Sequence, residues 1–182
     1  MAFLNSKERY GTIAIALHWI TFLVMAAMFA SVELHENYPK GDPMRGLLMA
    51  WHFQLGLAVL LLTIVRLVVK VKSADPEIKP ALTHVQNLAR KGAFLAMYLI
   101  LLVMPIAGFI GRTLAGKVTY FFGIPLPVLL AENKDLAENI FDVHSLIGNT
   151  AYFLIAAHVL AGLYHHYFQK DNTLLRMLPE RK

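Results

Sequence analysis

The chain reads as an all-α membrane protein, a bundle of four transmembrane helices, on three observations. Four apolar runs have the length of a membrane span, at about 11–33, 47–69, 92–111 and 140–168. These runs lack the polar faces that a soluble bundle of the same size would need. Hydrophobic residues make up 57% of the 182, with a mean hydropathy of +0.53. A single domain spanning 1–182 is expected.

The first run follows Lys7 and Arg9 and has small residues near Ala30 and Ser31, features of a secretory signal. Its length exceeds the roughly 7–15 apolar residues of a signal core, so it reads as a span. There is no cysteine, which excludes disulfides, thiolate metal sites, iron–sulfur clusters and thioether-linked haem. A redox cofactor would have to hang on histidine or methionine. The net charge of +5 follows from the loops and calls for no nucleic acid partner.

Lys and Arg number 2, 6 and 4 in residues 1–10, 66–91 and the tail after 168, against 2 and 3 in 33–46 and 112–142. The positive-inside bias then puts both termini and the 66–91 loop in the cytoplasm. The first segment carries His18 towards the cytoplasmic side. Glu36 to Met44 are turn-formers, making a short external loop. The second segment descends from Trp51, an aromatic-belt residue, with His52 just below it and Arg66 close enough to the inner surface to snorkel. Residues 73–80 are a proline-punctuated cytoplasmic linker, and His84 follows in an interfacial lead-in. The third segment has no histidine and is expected to kink at Pro105. The 112–138 connection contains the apolar, proline-broken run 121–130, read either as an interfacial flap over the outer end of the bundle or as a loosely ordered hydrophobic loop. The fourth segment places His144 near the external face and His158 towards the cytoplasm.

His144 and His158 lie fourteen residues apart with no charge between them. At roughly 100° per residue both project from one helix face, about 21 Å apart along the axis. Glycine follows four residues later in three of four cases, at Gly56, Gly148 and Gly162, leaving bare patches against which a flat group can lie. Topology pairs His52 with His144 outside and His18 with His158 inside. Ionisable side chains within spans are costly and point to function. Two imidazoles with no carboxylate nearby suit a six-coordinate low-spin haem iron built for electron transfer. A zinc site would want three or four ligands. Two haems b in the core of the bundle are the expectation, and a transmembrane electron wire is its consequence.

The stretches I-A-L-H-W at 15–19, W-H-F-Q-L-G at 51–56, V-H-S-L-I-G at 143–148, A-H-V-L-A-G-L-Y-H-H-Y-F at 157–168 and K-D-N-T-L-L-R-M-L-P at 170–179 carry a resemblance over nearly the whole chain. The sequence resembles the bacterial cytochrome b561 family. The resemblance implies a bacterial inner-membrane protein with His18 and His158 on one haem and His52 and His144 on the other. It also implies, from the member it looks most like, oxidation of periplasmic superoxide with electrons passed to ubiquinone. Relatives often carry histidine in the opening turn of the third helix, where this chain is read as having Arg90 and Lys91.

Superoxide is an anion, so basic residues near the outer pair would steer it, and Arg112 and Lys117, with Arg45 and Lys134, are the candidates. Quinone reduction also takes up protons. Beside the inner pair, His165 shares the ligand face, while His166, His84, Arg90 and Lys91 lie near the same surface. A rival reading is a membrane-anchor subunit that relays electrons for a partner dehydrogenase or hydrogenase. A histidine-lined transporter is a third, for which the fourth segment offers only Asn149, Thr150 and Tyr152 between the two histidines.

Overall fold

The computed structural model of the chain describes residues 3–178. It contains α1 (Thr12–His35), α2 (Pro43–Val71), α3 (His84–Leu114), a hairpin of β1 (Tyr120–Phe121) and β2 (Ile124–Pro125), and α4 (Lys134–Tyr164), which continues into a π turn over His165–Gln169. A short 3-10 turn follows at Leu175–Met177. The four helices have 24, 29, 31 and 31 residues. At about 1.5 Å per residue each exceeds the roughly 30 Å of a bilayer core, and each is apolar enough to cross it.

α2, α3 and α4 start earlier than their apolar runs because capping, not hydropathy, sets their ends. Asp42 Oδ1 accepts the Met44 N–H at 2.7 Å, and Pro43 takes the first helical position, where a missing N–H does no harm. Thr83 and Gln86 form a reciprocal capping box, with Gln86 Oε1 accepting the Thr83 N–H at 2.9 Å and Thr83 Oγ1 accepting the Gln86 N–H at 3.3 Å. His84 is therefore the first residue of α3, not a lead-in, and the opening turn of the third helix does carry a histidine. Asn133 Oδ1 accepts the Leu136 N–H at 3.0 Å, and Asp135 in that turn complements the helix dipole. α3 runs on through Pro105, which lacks the N–H that the Leu101 carbonyl would otherwise receive.

The 112–138 connection is not a loosely ordered loop: it carries the β1–β2 hairpin. α3 ends at Gly116 (φ +69), where a Cβ would also lie 2.7 Å from a Glu132 oxygen. Phe122 and Gly123, at φ 46 and 86, form a tight two-residue turn of the kind that suits hairpin twist. The Phe122 N–H donates to Gln54 Oε1 at 3.0 Å, and its ring meets Trp51 edge-on at 6.4 Å. Within 121–130, Ile124, Val128 and Leu129 stay exposed.

Burial is inverted relative to a soluble protein. Leu23, Leu146, Phe153 and Leu160 are exposed, whereas Thr21, Ser31, Thr63, Ala137 and Ala151 are buried. Small and hydroxyl residues let helices approach closely where lipid, not water, surrounds them. Thr63 returns its hydroxyl to the Val59 carbonyl at 2.7 Å, so that buried hydroxyl is satisfied within its own helix.

The chain divides into two compact units. One comprises residues up to Ile20, Ile64–Ile100 and from Thr150 onwards; the other comprises Thr21–Thr63 and Leu101–Asn149. In the first, the segment after α4 is stitched to the 73–80 linker and the N-terminal stretch. Asn172 exchanges hydrogen bonds with the Lys79 backbone, accepting at 2.8 Å and donating its own N–H at 3.2 Å. Trp19 Nε1 donates to the Met177 carbonyl at 3.0 Å, and Arg9 donates to the Leu178 carbonyl at 2.8 Å. Arg176 is buried, donates to the Pro76 carbonyl and lies over the Tyr10 ring at 5.5 Å. Arg176→Ala strips a buried carbonyl of its donor, so a loss of about 1–3 kcal/mol is expected. A lowered thermal midpoint in detergent checks it; an unchanged midpoint would show that the tail contributes nothing to the fold.

Candidate paired-histidine site

Two histidine pairs form, one in each unit. In the first, α1 brings His18 and α4 brings His158 to a ring-centroid distance of 6.3 Å, with the ring planes 57° apart. In the second, α2 brings His52 and α4 brings His144 to 6.2 Å and 77°. These are the partners expected from topology. With a metal–imidazole bond of about 2 Å on each side and a ring nitrogen about 1 Å from its centroid, two imidazoles sharing one metal put their centroids about 6 Å apart. A direct hydrogen bond at about 3 Å between nitrogens would bring them nearer 5 Å. The observed spacing in both pairs matches the shared metal.

At His52 the tautomer points the same way. His52 Nδ1 donates to the Met28 carbonyl at 3.4 Å, which fixes the proton on Nδ1 and leaves the Nε2 lone pair for a ligand bond. His144 Nδ1 is buried with no hydrogen-bond partner of normal geometry, the Met104 carbonyl lying near it. A Cβ placed on Gly148 or Gly162 would meet nothing within 4 Å, so the two predicted bare patches on α4 border open space. Among the described residues, no group of three or more His, Asp or Glu side chains is placed to close around a metal ion. What each pair offers is two imidazoles, a donor set that would suit the iron of a planar macrocycle.

α3 takes a part that its sequence does not advertise. A Cβ on Gly108 would lie 3.3 Å from His144 Cε1, and one on Gly111 would lie 2.8 Å from Phe141. These glycines let α3 pass close to the His144 face of α4. Two glycines three residues apart at the end of an apolar run are the signal that could have found this contact.

The basic candidates separate by their partners. Arg45 is committed to the α1–α2 turn, donating to the His35 and Tyr38 carbonyls at 2.9 and 2.8 Å and pairing with Glu36 at 3.2 Å. Lys134 pairs with Glu132 at 3.2 Å. Arg112 lies 4.0 Å over the Phe53 ring, beside His52, and donates to Thr119 Oγ1 at 3.1 Å and the Val118 carbonyl at 2.9 Å. Lys117 is exposed and, among the described residues, makes no ion pair. In the other unit, Arg90 donates to Asn87 Oδ1 at 2.9 Å, while Lys91 and His84 are exposed and His166 is half-buried.

His165 has a partner that sequence reasoning missed. Its Nδ1 lies 2.5 Å from Asp171 Oδ2, with side-chain exposures of 17% and 2%. The π turn and a left-handed Lys170 (φ 54) fold the chain back to make this pair, and such turns recur at functional sites. Burial pushes the Asp171 carboxyl up, but the hydrogen bonds from His165 and Thr173 outweigh it and hold the group below its ordinary value. The K-D-N-T stretch marked the place without revealing the pairing.

Comparison with known proteins places the chain in a family. The family model described as prokaryotic cytochrome b561 matches residues 9–180. The chain is 37% identical to cytochrome b561 homolog 1 of Escherichia coli (strain K12), covering 96% of this chain and 99% of that protein. It is 33% identical to the probable superoxide oxidase CybB of Yersinia pestis, covering 96% and 98%, and 30% identical to cytochrome b561 homolog 2 of Escherichia coli (strain K12), covering 98% and 95%. With the family match running almost from end to end, the chain belongs to the prokaryotic cytochrome b561 family, oxidoreductase-type cytochromes that bind haem b, and is a multi-pass protein of the bacterial inner membrane.

Proposed function

We propose that the protein is a dihaem electron-transfer enzyme that oxidises superoxide on the periplasmic side and delivers the electrons to ubiquinone. The observation that carries this reading is the pair of six-ångström histidine couples. His18 and His158 ligate the inner haem, and His52 and His144 the outer one. Positive-inside bias supports the orientation, with both termini cytoplasmic. Haem b held by these imidazoles would supply one-electron chemistry.

The chain's own residues supply the rest. Arg112, beside the outer pair, and exposed Lys117 give local positive charge that draws in an anionic substrate. His52 keeps its ligand geometry through the Met28 carbonyl. At the inner end, His165 with Asp171 supplies a proton to the quinone, and Lys91 lies on the same aqueous margin. Two superoxide anions give two dioxygen molecules and two electrons. One quinone takes both electrons and two protons to become quinol. The name of the Yersinia pestis relative supports superoxide as the donor.

Purified protein is expected to hold two haems b per chain by pyridine haemochromogen assay, and to form quinol when supplied with superoxide and a soluble ubiquinone analogue. A ratio near one would remove one pair from the scheme. Two haems with quinol formation at the uncatalysed rate would point instead to a subunit that relays electrons for a partner dehydrogenase or hydrogenase.

A further inference from the structure

We propose that Arg66 binds a propionate carboxylate of the haem held by His18 and His158 and raises that haem's reduction potential. The inference rests on the ligand assignment proposed above. Arg66 is half-buried in α2, with Nη2 3.4 Å from His18 Nδ1. Its guanidinium turns to the histidine.

That contact cannot persist as a hydrogen bond once His18 is a ligand. A guanidinium has five N–H donors and no acceptor. When Nε2 gives its lone pair to a metal, the neutral ring keeps its proton on Nδ1, so Arg66 then faces another donor. No carboxylate answers its charge: among the described residues Arg66 forms no ion pair, and its neighbours Tyr98, whose ring centre is 5.9 Å away, and Tyr10 are phenols. The other described arginines of this unit do have oxygen acceptors: Arg9 on the Leu178 carbonyl, Arg90 on Asn87 and Arg176 on the Pro76 carbonyl.

A half-buried cation without an anion is unfavourable, because it loses hydration and gains nothing in return. Haem b brings two propionates, and a guanidinium fork matches a carboxylate in both charge and shape. A cation held at that edge neutralises the propionate and favours the ferrous iron over the more positive ferric one. Electrons arriving from the outer haem would then be drawn inward, towards the quinone.

The test is a spectroelectrochemical titration of the full protein and its Arg66→Gln and Arg66→Lys variants, with haem content measured in parallel. In Arg66→Gln the inner haem is expected to shift about tenfold towards the ferric form, about 59 mV for a one-electron couple. The outer haem should keep its potential, and Arg66→Lys should recover at least half of the shift. Unchanged potentials in Arg66→Gln, or equal shifts in both variants, would overturn the proposal. If Arg66→Gln loses the inner haem, retention by Arg66→Lys supports the proposal, and loss from both overturns it. His18→Ala separates the two levels: if that variant still binds two haems, the ligand assignment itself has failed, whatever Arg66 does.

Discussion

His52→Ala and His144→Ala are each expected to lower haem content from two per chain to one, and both should remove the same spectral species. Each variant would leave an iron with a single imidazole, and among the described residues no group of three or more His, Asp or Glu is placed to hold a metal instead. The protein should still fold, because His52 and His144 are only part-buried and their neighbours pack through Gly108, Gly111 and Phe141. Superoxide-driven quinol formation should fall to the uncatalysed rate, since the entry point for electrons is gone. His18→Ala and His158→Ala should jointly remove the other species. Mixed losses, in which His52→Ala and His144→Ala bleach different bands, would break the pairing and with it the assignment of the 6.2 Å couple.

The pairing itself was legible because two periodicities carry it. Hydropathy counts the spans, and the helical repeat fixes which way His144 and His158 face; with alternating span direction, only one match of depths remains. Helix ends were less legible, since they depend on single hydrogen bonds. The box of Thr83 and Gln86 starts α3 well before its apolar run, and this moved His84 into the opening turn. Least legible were contacts made by chain reversal. Asp171 meets His165 only because a π turn and one left-handed residue fold the tail back, and no apolar pattern encodes that. Arg66 near a span end reads as a snorkelling side chain until the neighbouring helix is seen to present His18 to it. Gly108 and Gly111 look like packing residues and are, but what they admit is the ligand-bearing face of α4.

The His165–Asp171 couple yields the second large effect. His165 lies seven residues beyond His158, two helical turns and about 10 Å further along α4, at the margin where a quinone would meet water. Asp171 holds the Nδ1 proton, so the other ring nitrogen is the one free to pass a proton to a quinone oxygen, and the carboxylate stabilises the imidazolium that precedes the transfer. Asp171→Asn keeps an oxygen for the Thr173 N–H, at 2.8 Å in the parent, but removes the charge. Quinol formation is expected to fall about 100-fold, within the range of a lost general acid, while superoxide still reduces the haems at the parental rate. His165→Gln should match it, and the double variant should be no worse than either, as groups acting as a unit are not additive. The pH behaviour has a definite sign. Because the folded Asp171 carboxyl lies below its ordinary value of 3.8, its stabilising charge is fully present above that value and is lost only as pH falls through the lowered one. In the parent, the loss of activity caused by protonating Asp171 should therefore be confined to acid pH, with the carboxylate ionised throughout the neutral range. Parental quinol formation in both single variants, with both haems retained, would remove this couple from the proton path.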